Sequence, residues 1–226
     1  MNQQSRQPSY TIIKTLKIDM FGIISLATYQ NQTVIIRDLN IKNKLFKMVA
    51  KYLNYNEVRI LKKINRLNRP NFSQLIKSRP NYTIRSYISG TPINQYPEKL
   101  NEAFYAKAFE LVQTLHRNGI VHNDLEKAEN WIVMDNGEPA FIDFQLAKHF
   151  SRKTFLFKLL KKIEQRHIIK SKKRFCSSPL SESELKILNN RSLIHKFARQ
   201  YIKPFYNFIT RKLFNYSDRK SDQYSN

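Results

Sequence analysis

The sequence predicts an α+β chain in two parts: a β-rich beginning and a larger, mainly helical remainder. Three observations carry this reading. The first forty residues are β-branched and apolar runs separated by turn signals. Residues 98–117 place apolar side chains at helical spacing and end on Asn118-Gly119. Beyond them, two short apolar runs flank Asp135-Asn136-Gly137, and the pattern then turns helical.

Thr11 to Ile18 reads as a strand, and Asp19-Met20-Phe21-Gly22 as a turn. Ile23 to Tyr29 and Thr33 to Asp38 form a hairpin through Gln30-Asn31-Gln32. Leu45, Val49 and Leu53 share one helical face, and Val58, Leu61 and Ile64 another, with Asn54 or Asn56 as a break or cap between them. Pro70 and Pro80 punctuate the next stretch. Tyr82 to Ser89 is a strand stopped by Gly90-Thr91-Pro92. The clearest helix is Glu98 to Arg117, whose Leu100, Phe104, Ala108, Leu111 and Leu115 recur on one side. Trp131 to Met134 and Pro139 to Ile142 form a second hairpin. Three tail helices are expected, over Thr154 to Lys170, Glu182 to Asn189 and Leu193 to Phe214, the last interrupted at Pro204.

Composition narrows the function. With 226 residues the chain makes one large domain or two small lobes. Its sole cysteine, Cys176, makes no internal disulfide, and a reducing compartment is the default. Forty Lys and Arg against 17 Asp and Glu, a net charge of +23, favour phosphate-bearing or anionic partners. Four glycines argue against Gly-rich Rossmann or P-loop signatures. An apolar content of 41% excludes a mostly disordered chain. Met1 to Tyr10 lacks the apolar stretch of a signal peptide. The longest uncharged run, Met20 to Ile36, is too polar to span a bilayer. A cytoplasmic protein is expected.

The chemistry concentrates in Gly119-Ile-Val-His122-Asn-Asp124-Leu-Glu-Lys127-Ala-Glu-Asn130-Trp131, followed by Phe141-Ile-Asp143-Phe-Gln145. A helix ends, a polar loop presents Asp, Lys and Asn, and a hairpin returns a second Asp. Phosphoryl transfer needs one carboxylate to orient the acceptor hydroxyl. It also needs a second carboxylate and an amide oxygen to hold a metal that neutralises the phosphates.

This constellation resembles the catalytic and metal-binding loops of the protein-kinase-like superfamily. More narrowly, His-Asn-Asp-Leu followed by Ile-Asp-Phe-Gln-Leu-Ala is similar to bacterial Rio-type, lipopolysaccharide-kinase-like phosphotransferases. The resemblance implies a two-lobed protein-kinase-like fold: a small β-rich lobe over 10–85, a hinge over 86–90 and a large lobe over 91–226. It implies ATP and Mg²⁺ as cofactors. It makes Asp124 the catalytic carboxylate, places Lys127 near the transferred phosphate, and makes Asn130 and Asp143 the metal ligands. His122 braces the loop. Val34-Ile-Ile-Arg37 matches the phosphate-binding strand, Glu57 the helix glutamate that orients it, and Ser86 and Ile88 the hinge whose backbone reads adenine. Lys203-Pro-Phe-Tyr-Asn-Phe-Ile-Thr-Arg211 resembles a C-terminal helix of the same group.

The sequence departs from the common pattern in four places. Asp124 and Asn130 are one residue further apart than usual, a spacing the narrower group shares. Arg37 replaces lysine, which keeps the charge but not the compact ammonium. Gly22 alone remains of a glycine-rich loop. Gln145 replaces a glycine, and no Ala-Pro-Glu comes after it.

Implied partners are ATP and a hydroxyl acceptor, best read as Ser/Thr in protein. A lipopolysaccharide core sugar is the rival within the class. A pseudokinase or basic RNA- or membrane-binding module is the rival outside it. Residues 151–226 hold 19 Lys and Arg against 5 Asp and Glu. Lys170, Lys172, Lys173 and Arg174 there are either a solvated face or a seat for anionic lipid or RNA. The lipid reading would set the protein at the inner face of a membrane. Nothing in the sequence fixes the oligomeric state.

Overall fold

The computed structural model describes residues 10–19, 21–41 and 43–189. β1 (Tyr10–Asp19), β2 (Gly22–Tyr29) and β3 (Gln32–Asp38) form an antiparallel meander. The second connection is two residues rather than three, because Gln32 already pairs with Tyr29. Gln30 and Asn31 both take positive φ, 49° and 60°, as the tightest hairpins require. Gly22 has a φ of +136°, and a Cβ there would run into the Asp38 carbonyl. The chain closes on itself at that point, so this glycine has a structural reason of its own.

α1 (Lys44–Ile64) starts at Asn43, whose side-chain oxygen accepts from Leu45 N and Phe46 N. The helix runs unbroken through Asn54 and Asn56, against the sequence reading. Both side chains find partners in other elements, which offsets their poor helix propensity. β4 (Leu75–Arg79) and β5 (Tyr82–Ser86) complete a five-stranded sheet in the order β1-β2-β3-β5-β4. β4 is hidden between prolines in the sequence, and Pro80 sits in its turn into β5. β5 ends at Ser86, three residues earlier than expected by pattern. Gly90–Pro92 is not merely a stop but a strand, β6.

α2 (Glu102–Arg117) begins later than Glu98, because Asn101 caps it by accepting from Phe104 N at 2.9 Å. Its buried face carries Phe104, Tyr105, Ala108, Leu111, Val112 and Leu115. β7 (Ile120–Val121) comes directly after it and pairs with β10 (Lys148–His149). β8 (Trp131–Met134) and β9 (Pro139–Phe141) form the second hairpin, and β6 pairs with β8. A hairpin alone is marginal in water. Here Trp131 and Phe141 meet edge to face at 4.9 Å in the core, and burying each ring contributes about 2 kcal/mol. Packing therefore holds the hairpin that carries the loop residues.

α3 (Phe155–Phe175) is capped by Thr154 and runs past Lys170, where the sequence pattern ends it. Its Ile168 joins Leu111, Leu115, Trp131, Phe141 and Phe144 in one core. The chain divides into one compact unit of residues 1–179 and another from Leu180, to which α4 (Glu182–Asn189) belongs. The expected helix Leu193 to Phe214, and with it the Lys203–Arg211 resemblance, lies outside the described residues. Among the described residues no helix is long and apolar enough to cross a membrane. The fold is mixed α+β and compatible with a kinase-like architecture.

Candidate active site

The loop after β7 gathers its polar groups on Asp124. Lys127 Nζ donates to Asp124 Oδ2 at 2.8 Å, and Asn130 Nδ2 donates to the same oxygen at 3.0 Å. Asn130 Nδ2 also reaches the Asp124 carbonyl at 2.9 Å. One turn of 3-10 helix, Ala128–Asn130, makes this possible by folding Asn130 back over the loop. The Asp124 side chain is 13% exposed and that of Lys127 58%. Burial opposes the Lys127 charge, but the hydrogen bond and charge of Asp124 outweigh it and hold the ammonium above its ordinary pKa.

The β8–β9 register brings Asp143 beside Asn130, since Ile142 N donates to the Asn130 carbonyl at 3.0 Å. Asp143 has a φ of 63°. Asp tolerates this left-handed conformation better than most residues, and it turns the chain sharply off β9. His122, wholly buried, ties the two segments together: its Nε2 donates to the Ile142 carbonyl at 3.0 Å, and its ring lies 4.5 Å from that of Phe144. Burial raises the Asp143 carboxyl, but the charges of Arg37, Arg85 and His122 overcome it, and the net shift is downward.

Arg37 and Arg85 come from the five-stranded sheet. Arg37 on β3 lies opposite Thr83 on β5, and Arg85 lies opposite Ile35. Opposed residues share a face, and so do residues two apart on a strand, so Arg37, Thr83 and Arg85 project to one side. α1 covers that side. Thr83 Oγ1 donates to Asn54 Oδ1 at 2.7 Å. Glu57, one turn on and 1% exposed, accepts from Arg85 Nη1 through Oε1, and its Oε2 lies 4.0 Å from Arg37 Nη1. Glu57 is therefore not a surface charge. Asn56 Nδ2 donates to the carbonyls of Gln145 and Ala147, both at 2.8 Å, and so fastens α1 to the segment after Asp143.

Ser86 and Ile88 lie where β5 leaves the sheet. Ser86 N donates to the Gln74 carbonyl, and Ser86 Oγ accepts from Gln74 N, both at 2.8 Å. Ile88 packs on Ile132 and Ala140, so the segment lines the edge of the second hairpin.

Three contributors escape the sequence reading. Arg85 reads there only as the last residue of the small lobe, and Asn56 as a helix break or cap. Glu164 is lost in the basic helix α3, yet it is 1% exposed, accepts from Asn123 N through Oε1 at 2.7 Å, and pairs with His116 Nε2 through Oε2 at 2.6 Å. Asn123 is the second left-handed residue of the site, with a φ of 63°. A signal exists for Glu164: it is the lone acid between residues 151 and 176. The alternation of Thr83 and Arg85 on one strand face is the signal for Arg85.

Two of the four basic residues near the end of α3 are engaged with acids. Lys170 pairs with Glu126 at 2.7 Å, and the buried Lys172 pairs with Glu102 at 2.7 Å. Arg174 sits over the Phe175 ring at 4.9 Å. That leaves less of a polyanion seat than the sequence promises.

No group of three or more His, Cys, Asp and Glu suited to a metal occurs among the described residues. Asn130 and Asp143 offer an amide and a carboxylate oxygen. Such hard donors fit Mg²⁺, which keeps much of its water and asks for few protein ligands. The Asn130 amide nitrogen is turned to Asp124, which leaves Oδ1 for a cation.

No family model matches the chain. Among curated proteins it is 28% identical over 185 residues to the probable serine/threonine-protein kinase MARK-C of Dictyostelium discoideum, covering 76% of this chain and 22% of that protein. It is 25% identical over 210 residues to the probable serine/threonine-protein kinase samkA of the same organism, covering 84% and 29%. It is 32% identical over 83 residues to the probable serine/threonine-protein kinase KIN1 homolog of Encephalitozoon cuniculi, covering 37% and 14%. The chain thus spans less than a third of each of these relatives. The likenesses are distant, and they support a place in the protein-kinase-like superfamily.

Proposed function

We propose that the protein is an ATP- and Mg²⁺-dependent phosphotransferase acting on a hydroxyl, of serine/threonine-kinase character. The observation that carries this is the convergence of Lys127 and Asn130 on one oxygen of Asp124, with Asp143 delivered beside Asn130. The names of the relatives support it at the level of kinase activity. In this reading residues 10–85 are the small lobe, 86–90 the hinge and 91–226 the large lobe. Ser86 and Ile88 would meet the base through their backbone, Ser86 by its carbonyl alone, since its N–H is engaged with the Gln74 carbonyl. The Rio-like type, a cytoplasmic location and an anionic partner for the basic tail belong to the same proposal.

The roles of the residues rest on their contacts. Hydrogen bonds on the Asp124 carboxylate fall on Oδ2, so Oδ1 is the atom to receive the acceptor's proton. Lys127 sets a positive charge beside it. Asn130 and Asp143 would hold Mg²⁺, which when bound neutralises phosphate oxygens. Arg37 offers a guanidinium to the phosphates.

A second acceptor class has an observation of its own. From Asp143 the chain passes directly through β10 into α3 at Phe155, with little length for a platform that would seat a peptide. That favours a compact acceptor such as a sugar hydroxyl.

The test is metal-dependent turnover of ATP with protein and sugar acceptors, in wild type and Asp124→Ala. The variant should retain nucleotide binding and lose a factor of roughly 10²–10⁴ in transfer. Equal turnover in both proteins would remove Asp124 from the chemistry. A wild type that binds ATP and transfers nothing would make this a pseudokinase.

A further inference from the structure

We infer that Arg85 is a positioning residue for the nucleotide phosphates, acting through Glu57 on Arg37. The inference rests on the phosphotransferase reading above and adds to it a residue from a strand outside the phosphate-binding one.

The geometry begins with the sheet face. Arg37, Thr83 and Arg85 project together toward α1. Both guanidiniums are almost wholly enclosed: Arg37 is 5% exposed and Arg85 6%. Glu57 stands between them and divides its two oxygens. Oε1 takes Arg85 in a direct ion pair, and Oε2 faces Arg37 at 4.0 Å, beyond hydrogen-bonding distance. The two arginines therefore do different work on one carboxylate.

The chemistry of arginine explains why two are needed. A guanidinium matches a carboxylate as a fork, with two parallel N–H bonds. An arginine at position 37 facing an otherwise open Glu57 would close into that fork and turn its donors away from a ligand. Arg85 occupies Oε1 and blocks this. Arg37 is kept near Glu57 by charge, yet held out of the bidentate pair. The lysine usual at this strand position needs no such device, because an ammonium has no fork.

The surroundings fix Arg85 for the task. It lies one residue from the end of β5 and opposite Ile35, within the paired part of the sheet. Thr83 and Asn54 join the same strand and helix at 2.7 Å, which sets the separation across which Arg85 reaches Glu57.

The experiment measures ATP affinity with Mg²⁺ by titration calorimetry on the full chain, with melting temperature as the check on folding. Arg85→Met should weaken ATP by about tenfold or more, and Arg85→Lys should restore affinity to within about threefold, because charge on Oε1 is what matters. Arg85→Met leaves Glu57 buried without its ion pair and can fail to fold. The double variant Glu57→Gln/Arg85→Met keeps the test alive: without the carboxylate Arg85 has nothing to act through, so it should bind ATP as Glu57→Gln alone does. The decisive comparison is Arg37→Met against Arg37→Met/Arg85→Met. If Arg85 acts through Arg37, the second substitution adds nothing to the first. Additive losses in either background, or wild-type affinity in a folded Arg85→Met protein, overturn the inference and leave the phosphotransferase reading standing. A wild type that binds no ATP overturns both.

Discussion

Within the loop from His122 to Asn130 the polar contacts on Asp124 span three and six residues, whereas on the sheet face Glu57 is met by arginines from two other elements. The loop is assembled by its own local turns and then braced from outside. The sheet face has no local form at all, because it exists only once β3, β5 and α1 are together. The loop should therefore tolerate conservative changes without unfolding, and its variants should report on chemistry. Variants on the sheet face should report on stability and binding together.

The sharpest break of that comparison is Asp143→Asn. The change removes a charge and keeps the size, so metal-dependent transfer should fall by at least about a hundredfold. The melting temperature should shift little. A large fall in melting temperature in this variant would place Asp143 with the sheet-face charges that surround it rather than with the loop.

Glu164→Ala comes next, and it tests the bracing. The variant leaves Asn123 N and His116 Nε2 without their acceptor in the core, and losing one partner of a buried pair costs about 3 kcal/mol. Denaturant midpoints would read this directly. Transfer in the surviving folded fraction should also fall, because Asn123 precedes Asp124. Wild-type stability would mean that α3 does not brace the loop.

Arg37→Lys should change little, by contrast with what a simple lysine-for-arginine reading suggests. Lysine keeps the positive charge that faces Glu57 Oε2, while Arg85 keeps Oε1. ATP affinity within about threefold of wild type is expected from calorimetry. A gain of tenfold would show that Arg37 is a defective lysine and not part of a two-arginine arrangement.

The smallest effect is that of pH. Burial pushes the His167 imidazole below its ordinary pKa, so folding excludes a proton that the unfolded chain accepts. Stability is then full above the unfolded value near 6.5 and declines as pH falls below it, by about 1 kcal/mol or less. His167→Phe should flatten that decline in urea titrations between pH 7.5 and 5.5. Asp143 acts in a separate window: its depressed carboxyl contributes stability above about pH 4, which is lost as pH falls through the folded pKa. The two windows separate α3 from the turn after β9.

The loop is legible in the sequence because its residues sit close together and each has a distinctive chemistry. His122, Asp124, Lys127 and Asn130 can be placed from their spacing, and the Asn136-Gly137 turn tells how Asp143 returns. The strands β1 to β3 and the hairpin β8–β9 are legible for the same reason, since local alternation and turn residues specify them. The sheet-face charges are not. Arg85 reaches Glu57 over 28 residues of sequence and Glu164 reaches Asn123 over 41. Nothing local marks either pairing. Asn54 and Asn56 mislead because propensity speaks for the isolated helix, and here the partners lie on β5 and beyond Asp143. β4 escapes because its prolines lie in the flanking turns and the strand between them is short and at the sheet edge.

The Asn56 side chain has a consequence for how the protein breathes. Its amide nitrogen carries two hydrogens and uses both, on Gln145 and Ala147, across 89 and 91 residues of chain. The middle of α1 and the turn after Asp143 are thereby joined into one opening unit. An excursion that lifts the helix must also strip two carbonyls, so the two segments should exchange their amide hydrogens on a common free-energy level. In Asn56→Ala that level should split, and the turn after Asp143 should exchange first while α1 keeps its protection.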